Sequence, residues 1–318
     1  MHILFDCLGS DLGVEAIVEG AHNFQKNHPL RATFVGKKED IEKALEKFPV
    51  ENSDIYPADE VILNTEEPTR ALRKKKNSSL VRSLTMLKEG KGDAVLSAGS
   101  TGALLAGGLF IVGRKEGIKR ACLPAPIPGP HGPICLVDAG ANVDCSPEIL
   151  ESFAQMGQAY VENVFDKKDP KVYLLNIGSE PGKGNQQTKE SFKFLEENEA
   201  VNFLGNLESR DLFSKEVDVL VADGFAGNIL LKTLEGMAAY LFGLIKDQMT
   251  STQALSSGGG GNLKALKKAF DYEEVGAVPL LGLEKLVFKA HGSSGARAFE
   301  QALVQIEKAV DHQLIDKF

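Results

Sequence analysis

DAVLSAGSTGALLAGGLFIVG, residues 93–113, changes its period in mid-course. Asp93–Ser97 is a short apolar run of the kind buried on both faces of a parallel sheet, small residues and glycines follow through Gly102, and a helix is expected beyond them. The same hand-over recurs in VDVLVADGFAGNILLKTLEG, residues 217–236, and along most of the chain. Repeated strand, small polar turn and helix is the pattern of a βαβ protein.

Further strands are expected at Ile3–Phe5, Ala32–Val35, Pro133–Val137, Val172–Asn176, Val201–Leu204 and Val217–Ala222. Helices are expected at Val14–Lys26, Asp40–Lys47, Ser79–Lys88, Pro147–Val164, Lys183–Glu197, Asn228–Lys246 and Ala296–His312. Pro147 behind Ser146 is a helix-start signal, because a first-turn proline gives up an amide that has no partner there. PAPIPGPHGP, residues 124–133, predicts a rigid loop beside the sheet, since proline brings no donor to a ladder. SSGGGGN, residues 256–262, predicts a flexible linker between two helices.

The chain has 318 residues, 43% hydrophobic and 25% charged, which is ordinary globular composition with enough length for a large core. A formal net charge of −8 excludes a surface drawn as a whole to nucleic acid. One local basic run, Arg70, Arg73, Lys74, Lys75 and Lys76, suits either a solvated face or an acidic partner protein. Cys7, Cys122, Cys135 and Cys145 are scattered without zinc-ligand spacing and are read as reduced thiols of a cytosolic protein. Asp6 interrupts the N-terminal apolar stretch before it reaches signal-peptide length. Ile229–Ile245, interrupted by Lys232 and Glu235, is too short to span a bilayer and is expected to be a core helix.

In parallel sheets ligands collect at the carboxyl ends of strands, so glycines, hydroxyls and acids just after an apolar run are site candidates. In Ser97–Gly102, the residues Ser97, Gly99, Ser100, Thr101 and Gly102 have the form of a phosphate cradle; a plain strand-to-helix turn would use the same residues. Asp138–Asn142 offers Asn142. In the loop after Asn176, Lys183 is a cation at an expected helix start, where an acid is usual, and Asn185 follows it. Residues 178–184, GSEPGKG, approach a Walker loop but are one residue short, and Gly184 stands in place of its hydroxyl residue. Asp223, Gly227 and Asn228 lie in DGFAGN; Asp223 reads as a helix cap or a ligand, and Asn228 as a neutral donor to phosphate or to a developing oxyanion. His291, in KAHGSS, is a candidate proton acceptor. No serine elbow, Cys–His pairing or acid cluster for a metal is present in the sequence, so positioning and anion stabilisation are expected to carry the chemistry without cofactor or metal.

These residues together resemble a known family. SAGSTGALLAGGLFIVGRKEGIKR, DAGANVDCSPE, NIGSE with KGN, GNLESRDLF, VADGFAGNILLKTLEG and KAHGSS, in order from about residue 3 to residue 310, resemble the bacterial phosphate acyltransferases, the acyl-carrier-protein:phosphate transacylases of phospholipid synthesis. The resemblance implies an α/β fold like that of isocitrate and isopropylmalate dehydrogenases: three αβα layers, a mostly parallel sheet, and two lobes with a cleft, in a single domain over residues 1–318. It implies a cytoplasmic homodimer that converts long-chain acyl-acyl carrier protein and inorganic phosphate to acyl phosphate, feeding the acylation of glycerol 3-phosphate. It also implies peripheral contact with the membrane and with the downstream glycerol-phosphate acyltransferase. Lys183 and Asn228 match family residues of the phosphate and thioester site, and His291 is carried over beside them.

The chain departs from the family pattern at three places. The usual opening D-A-M-G-G-D with a following proline is here DCLGSD with Val14, and Ser100 stands where asparagine is expected. Residues 249–264 hold few bulky apolar residues where the family has an apolar membrane-touching tip. Two other functions fit the same residues: a short-chain phosphate acetyl- or butyryltransferase using acyl-coenzyme A, and a non-catalytic regulatory protein that holds acyl carrier or lipid. A decarboxylating dehydrogenase fits poorly, for want of a metal-binding acid cluster.

Overall fold

The computed structural model describes residues 1–251 and 276–318. In chain order the elements are β1 (His2–Asp6), α1 (Gly13–Gln25), β2 (Arg31–Gly36), α2 (Lys38–Lys47), β3 (Ser53–Pro57), α3 (Pro68–Lys74), α4 (Ser79–Lys88), β4 (Ala94–Ser97) and α5 (Thr101–Gly107), which runs on into a π-helical turn at Gly108–Val112. Then come β5 (Ala125–Gly129), β6 (Gly132–Val137), α6 (Pro147–Val164), β7 (Val172–Asn176), α7 (Gln186–Glu197), β8 (Phe203–Glu208), β9 (Val219–Val221) and α8 (Gly224–Ser251). The chain closes with β10 (Ala277–Pro279), β11 (Leu286–Ala290) and α9 (Ala296–Asp311).

These elements form two compact units, each built on its own sheet. The first unit takes Met1–Pro124, Ala159–Lys168 and 276–318, with strand order β10-β11-β4-β1-β2-β3, parallel except for β10. Its inner strands are sealed on both faces: Ile3, Leu4, Phe5, Phe34, Val95 and Phe288 are fully buried, and Phe5 stacks on Phe34 with ring centroids 5.0 Å apart. The second unit takes Ala125–Gln158 and 169–251, with order β5-β6-β9-β7-β8, parallel except for β5. The sequence reading of an α/β fold with mostly parallel strands therefore stands, with two sheets where one was anticipated.

Several boundaries differ for identifiable reasons. Residues 125–137 form a hairpin rather than a loop: β5 pairs on one side only, so Pro126 and Pro128 cost no ladder donor. The strand expected at Val201–Leu204 is β8, shifted toward the C-terminus. Its register against β7 slips between Val172↔Phe203 and Leu174↔Asn206, which leaves an extra residue where Gly205 has φ +108°. The helix expected from Lys183 starts at Gln186, because Gly184 takes φ +94° and Asn185 caps the helix, its Oδ1 accepting from the Thr188 amide at 2.9 Å. Lys183 thus lies in the preceding turn.

Helix α8 corrects the expectation of a core helix. Ile229, Met237, Tyr240 and Leu241 are about half exposed or more, Tyr240 at 62%. Gly224–Ile245 is long and apolar enough by length and composition to cross a membrane, and its most apolar window has no buried residue. Lys232 and Glu235, which interrupt it, pair with each other at 2.7 Å. The linker expected at 256–262 and most of the stretch 249–264 lie outside the described residues.

Helices α1 and α9 pack closely in the first unit, and Gly20 sets their spacing. A Cβ at Gly20 would stand 2.5 Å from Phe299 Cβ and 2.7 Å from the Ala296 carbonyl. Gly20→Ala gains about 1 kcal/mol in helix propensity, and forced overpacking costs typically 1–3 kcal/mol. With backbone as one of the obstacles the upper part of that range applies, so Gly20→Ala is expected to lower the urea midpoint by a net loss of about 1–2 kcal/mol. A midpoint at or above the parent's would show that the two helices part freely.

Candidate functional site

In the first sheet the chain leaves β1 toward β2 and β3 on one side and returns to β4 and β11 on the other. That reversal places a ligand-binding crevice at the carboxyl ends of β1 and β4. Strand register puts Asp6, Ser97 and Lys289 in one row across β1, β4 and β11. Asp6 is 2% exposed and accepts from Ser79 Oγ at 2.5 Å, Ser97 Oγ at 2.7 Å and the Leu8 amide at 3.4 Å. Burial raises its carboxyl above the usual range, and the two serines and the amide pull it back.

Three loops meet at this edge. The Asp11 amide donates to the Gly292 carbonyl at 2.8 Å, which ties the β1 loop to the β11 loop. Gly9 lies against Gly99, where a Cβ on Gly9 would stand 2.9 Å from the Gly99 Cα, which ties the β1 loop to the β4 loop. In the β4 loop Ser97 is wholly buried, and its hydroxyl donates to Asp6 while accepting from the Gly99 amide at 3.1 Å. The Ser97 hydroxyl therefore serves the frame of the loop. Ser100, also buried, caps α5 by accepting from the Ala103 amide at 3.4 Å. Thr101 and Gly102 open α5, with Gly102 packed on Pro68. His291 is exposed, its Nδ1 2.8 Å from Ser293 Oγ.

The second unit carries the other candidates, on loops that follow the adjacent strands β6, β9 and β7. Asp138, fully buried at the end of β6, accepts from the Asn142 amide at 2.6 Å and from Asn142 Nδ2 at 3.1 Å. The Asn142 carbonyl in turn accepts from the Gly224 amide at 2.7 Å, which locks the β6 loop to the first turn of α8. Gly227 allows that approach, since a Cβ there would stand 2.0 Å from the Asp138 carbonyl. Asp223 caps the same helix, its Oδ1 accepting from the Ala226 amide at 2.8 Å. Asn228, the residue after Gly227, is exposed, and its carboxamide carbon stands 3.5 Å from where a Gly140 Cβ would lie.

Lys183 is exposed in the turn after β7, its stem lying over Gly178. Asn176 holds that turn: its Oδ1 accepts from the Ile177 amide at 2.8 Å and its Nδ2 donates to the Lys183 carbonyl at 3.2 Å. Asn206 adds a bond from Nδ2 to the Glu180 carbonyl at 2.9 Å. Asn185 spends its Oδ1 on capping α7. The edge thus presents an ammonium on a braced turn and a carboxamide at a helix start, groups suited to hold an anion or steady a developing oxyanion.

The basic run lies on and just after α3 in the first unit. Lys75 is engaged, with Glu66 at 2.6 Å and the Val61 carbonyl at 2.8 Å. Arg73 and Lys76, joined by Arg82, rim a cavity of about 500 Å³ with Leu72, Val81 and Phe110 in its walls. All four cysteines are buried thiols outside any disulfide; burial raises the Cys7 and Cys135 thiols, which leaves them poor nucleophiles. Among the described residues no group of three metal-ligating side chains occurs.

Asp6 and Lys289 fall in stretches that the sequence marks as places for ligands, Asp6–Asp11 and Lys289–Ser294, but neither takes a role from the sequence alone, and Ser79 is not singled out there. Asp6 ends a strand and Lys289 opens a glycine-containing loop, which is the available signal, but their alignment through Ser97 exists only in the sheet register.

The sequence profile of a family described as "Fatty acid synthesis protein" matches residues 1–317. A phosphate acyltransferase of Clostridium botulinum (strain Loch Maree / Type A3) is 45% identical over 323 residues, covering 100% of this chain and 96% of its own length. Among solved structures, a phosphotransacetylase from Streptococcus pyogenes superposes with TM-score 0.63 at 18% identity, covering 99% of this chain and 94% of its own. A branched-chain phosphotransacylase from Enterococcus faecalis V583 does so with TM-score 0.64 at 14% identity, covering 98% and 99%. The two structures share the fold, and the sequence relationship goes further: this chain belongs to the fatty acid synthesis protein family of phosphate acyltransferases and is an acyltransferase enzyme.

Proposed function

We propose that this acyltransferase moves a long-chain acyl group from a carrier-protein thioester to inorganic phosphate, in the cytoplasm, and that the acyl phosphate formed is consumed in glycerol 3-phosphate acylation. The observation that carries the reading is the donor set at the carboxyl edge of the second sheet: Lys183 on its braced turn and Asn228, the fifth residue of α8. A phosphate oxygen attacks the thioester carbonyl, the C–O bond forms, the oxyanion collapses, and the C–S bond breaks with the thiolate taking the electron pair. Such a reaction needs an anchored phosphate and donors aimed at the oxyanion rather than an enzyme nucleophile. Lys183 holds the phosphate and offsets its charge, Asn228 donates to the oxyanion, and Asn142, Asn185, Asp223 and Gly227 shape that edge of the second unit; in the first unit the Ser97–Gly102 loop, with His291 after β11, forms an anion-binding edge of its own. Asp223, on the same edge as Lys183 and Asn228, takes or returns the proton.

Two surface features support the carrier donor and a homodimer. The basic rim of Arg73, Lys76 and Arg82 around an apolar-walled cavity suits an acidic protein that delivers an acyl group. The exposed apolar side of α8 is what a second copy would cover, since monomers rarely leave such a surface in water. A short-chain reaction with acyl-coenzyme A is the second reading, favoured by the fold shared with a phosphotransacetylase.

Acyl phosphate formation from palmitoyl-carrier protein and labelled phosphate, run beside palmitoyl- and acetyl-coenzyme A, separates these readings. Turnover with the carrier donor that falls about 100-fold or more in Lys183→Ala supports the proposal. Preference for acetyl-coenzyme A would replace it with the short-chain enzyme. Arg73→Glu combined with Lys76→Glu is expected to raise KM for the carrier donor about 10-fold and leave palmitoyl-coenzyme A unchanged; equal effects on both donors would remove the docking role of α3. Light scattering should give twice the chain mass for the parent and a single chain mass for Tyr240→Glu, whereas a monomeric parent contradicts the dimer.

A further inference from the structure

Lys289 is half-buried at the end of β11, and its Nζ donates to two backbone carbonyls, those of Ala98 at 3.4 Å and of Ala290. Among the described residues no carboxylate forms an ion pair with it. The charges that act on it do so through space: Asp6 from β1 and Asp11 from the loop after β1. Its strand neighbours Ser97 and Val278 bring no charge. Both oxygens of Asp6 are already engaged, by Ser79 and Leu8 on one and Ser97 on the other.

An ammonium drawn partly out of water without a contacting anion gives up hydration, and an apolar side chain of similar length would pack at this position without that loss. Stability alone therefore gives no reason for a lysine here. Its position gives one. The amine reaches the carbonyl of Ala98, inside the Ser97–Gly102 loop, beside the crevice that the strand order creates. We propose that Lys289 supplies the cation of a phosphoryl-binding subsite at the carboxyl edge of the first sheet and holds a phosphoryl group of one reactant against the Ser97–Gly102 loop. This inference rests on the phosphate acyltransferase reading. Two reactants carry that chemistry, inorganic phosphate and the phosphodiester of a pantetheine donor, and they are told apart by which KM responds.

Burial pushes the Lys289 amine down to about 8, against the opposing pull of Asp6 and Asp11. The subsite is then charged below about pH 8 and loses its charge as the pH rises through that value. Arginine stays protonated across the accessible range, so the conservative variant keeps the charge while abolishing the titration.

The test is steady-state kinetics of the full-length parent, Lys289→Met and Lys289→Arg between pH 6.5 and 9.5 (on the order of one and a half units either side of the Lys289 transition), with calorimetric titration of inorganic phosphate and of coenzyme A. Lys289→Met is expected to raise KM for phosphate, or for the donor, about 10-fold or more with kcat changed less. Lys289→Arg is expected to restore most of that affinity and to lack the alkaline fall in kcat/KM expected of the parent. Should Lys289→Met not fold, the alkaline limb of Lys289→Arg decides alone. A parent that binds phosphate or coenzyme A in a Lys289-dependent manner but forms no acyl phosphate would keep the subsite and remove the catalytic reading. Normal turnover with both KM values and the alkaline limb unmoved in the variants overturns the subsite and leaves the catalytic reading intact.

Discussion

Asp6 sits where the first sheet ends, out of reach of water, and its two oxygens must be answered by the protein. Ser79 from α4, Ser97 from β4 and the Leu8 amide answer them. Leaving one such partner out of a buried site costs about 1–3 kcal/mol, so the three are held together as a set. That set fixes the end of β1 against β4, and Ser97 passes the constraint on to Gly99 and so to the glycine-rich loop. The crevice edge of the first unit is therefore rigid for an electrostatic reason: a buried carboxyl needs its hydroxyls, and the loop conformation is what brings one of them to it.

The second unit solves the same problem with a different partner. Asp138 ends β6 fully buried, as Asp6 ends β1, and it is answered by the backbone and side-chain amide of Asn142. The Asn142 carbonyl then accepts from Gly224 and seats the first turn of α8, and Asn228 follows at the start of the next turn. In both units a buried acid at a strand end organises the following loop and, through it, the segments that carry groups suited to chemistry. Lys183 is held in a similar way by Asn176 and Asn206, whose amides brace its turn while its own ammonium stays exposed.

Much of this was legible from one-dimensional pattern. Ser79–Lys88, Pro147–Val164 and Val172–Asn176 have the bounds read from periodicity and caps, because apolar spacing and an N-cap act over a few residues. The differences fall where a longer-range partner decides. Prolines that argued against a strand are accommodated in β5 because it lies at an edge. Gly184 delays to Gln186 the helix expected from Lys183. The apolar spacing of α8 could not tell a core helix from an uncovered one, since both carry the same residues and differ only in what packs against them.

By itself the sequence determined the alternation of strands and helices, the parallel character of the sheets, and the loops at which ligands would collect, because each follows from local period and from glycine, proline and cap chemistry. Only the tertiary structure decided that the chain builds two sheets and that Ser97 and Asp223 spend contacts on the frame. It alone aligned Asp6, Ser97 and Lys289 in one row. Those three residues lie 91 and 192 positions apart in the chain, and only strand order and register, set by burial of both sheet faces, bring a charge so distant to the same edge.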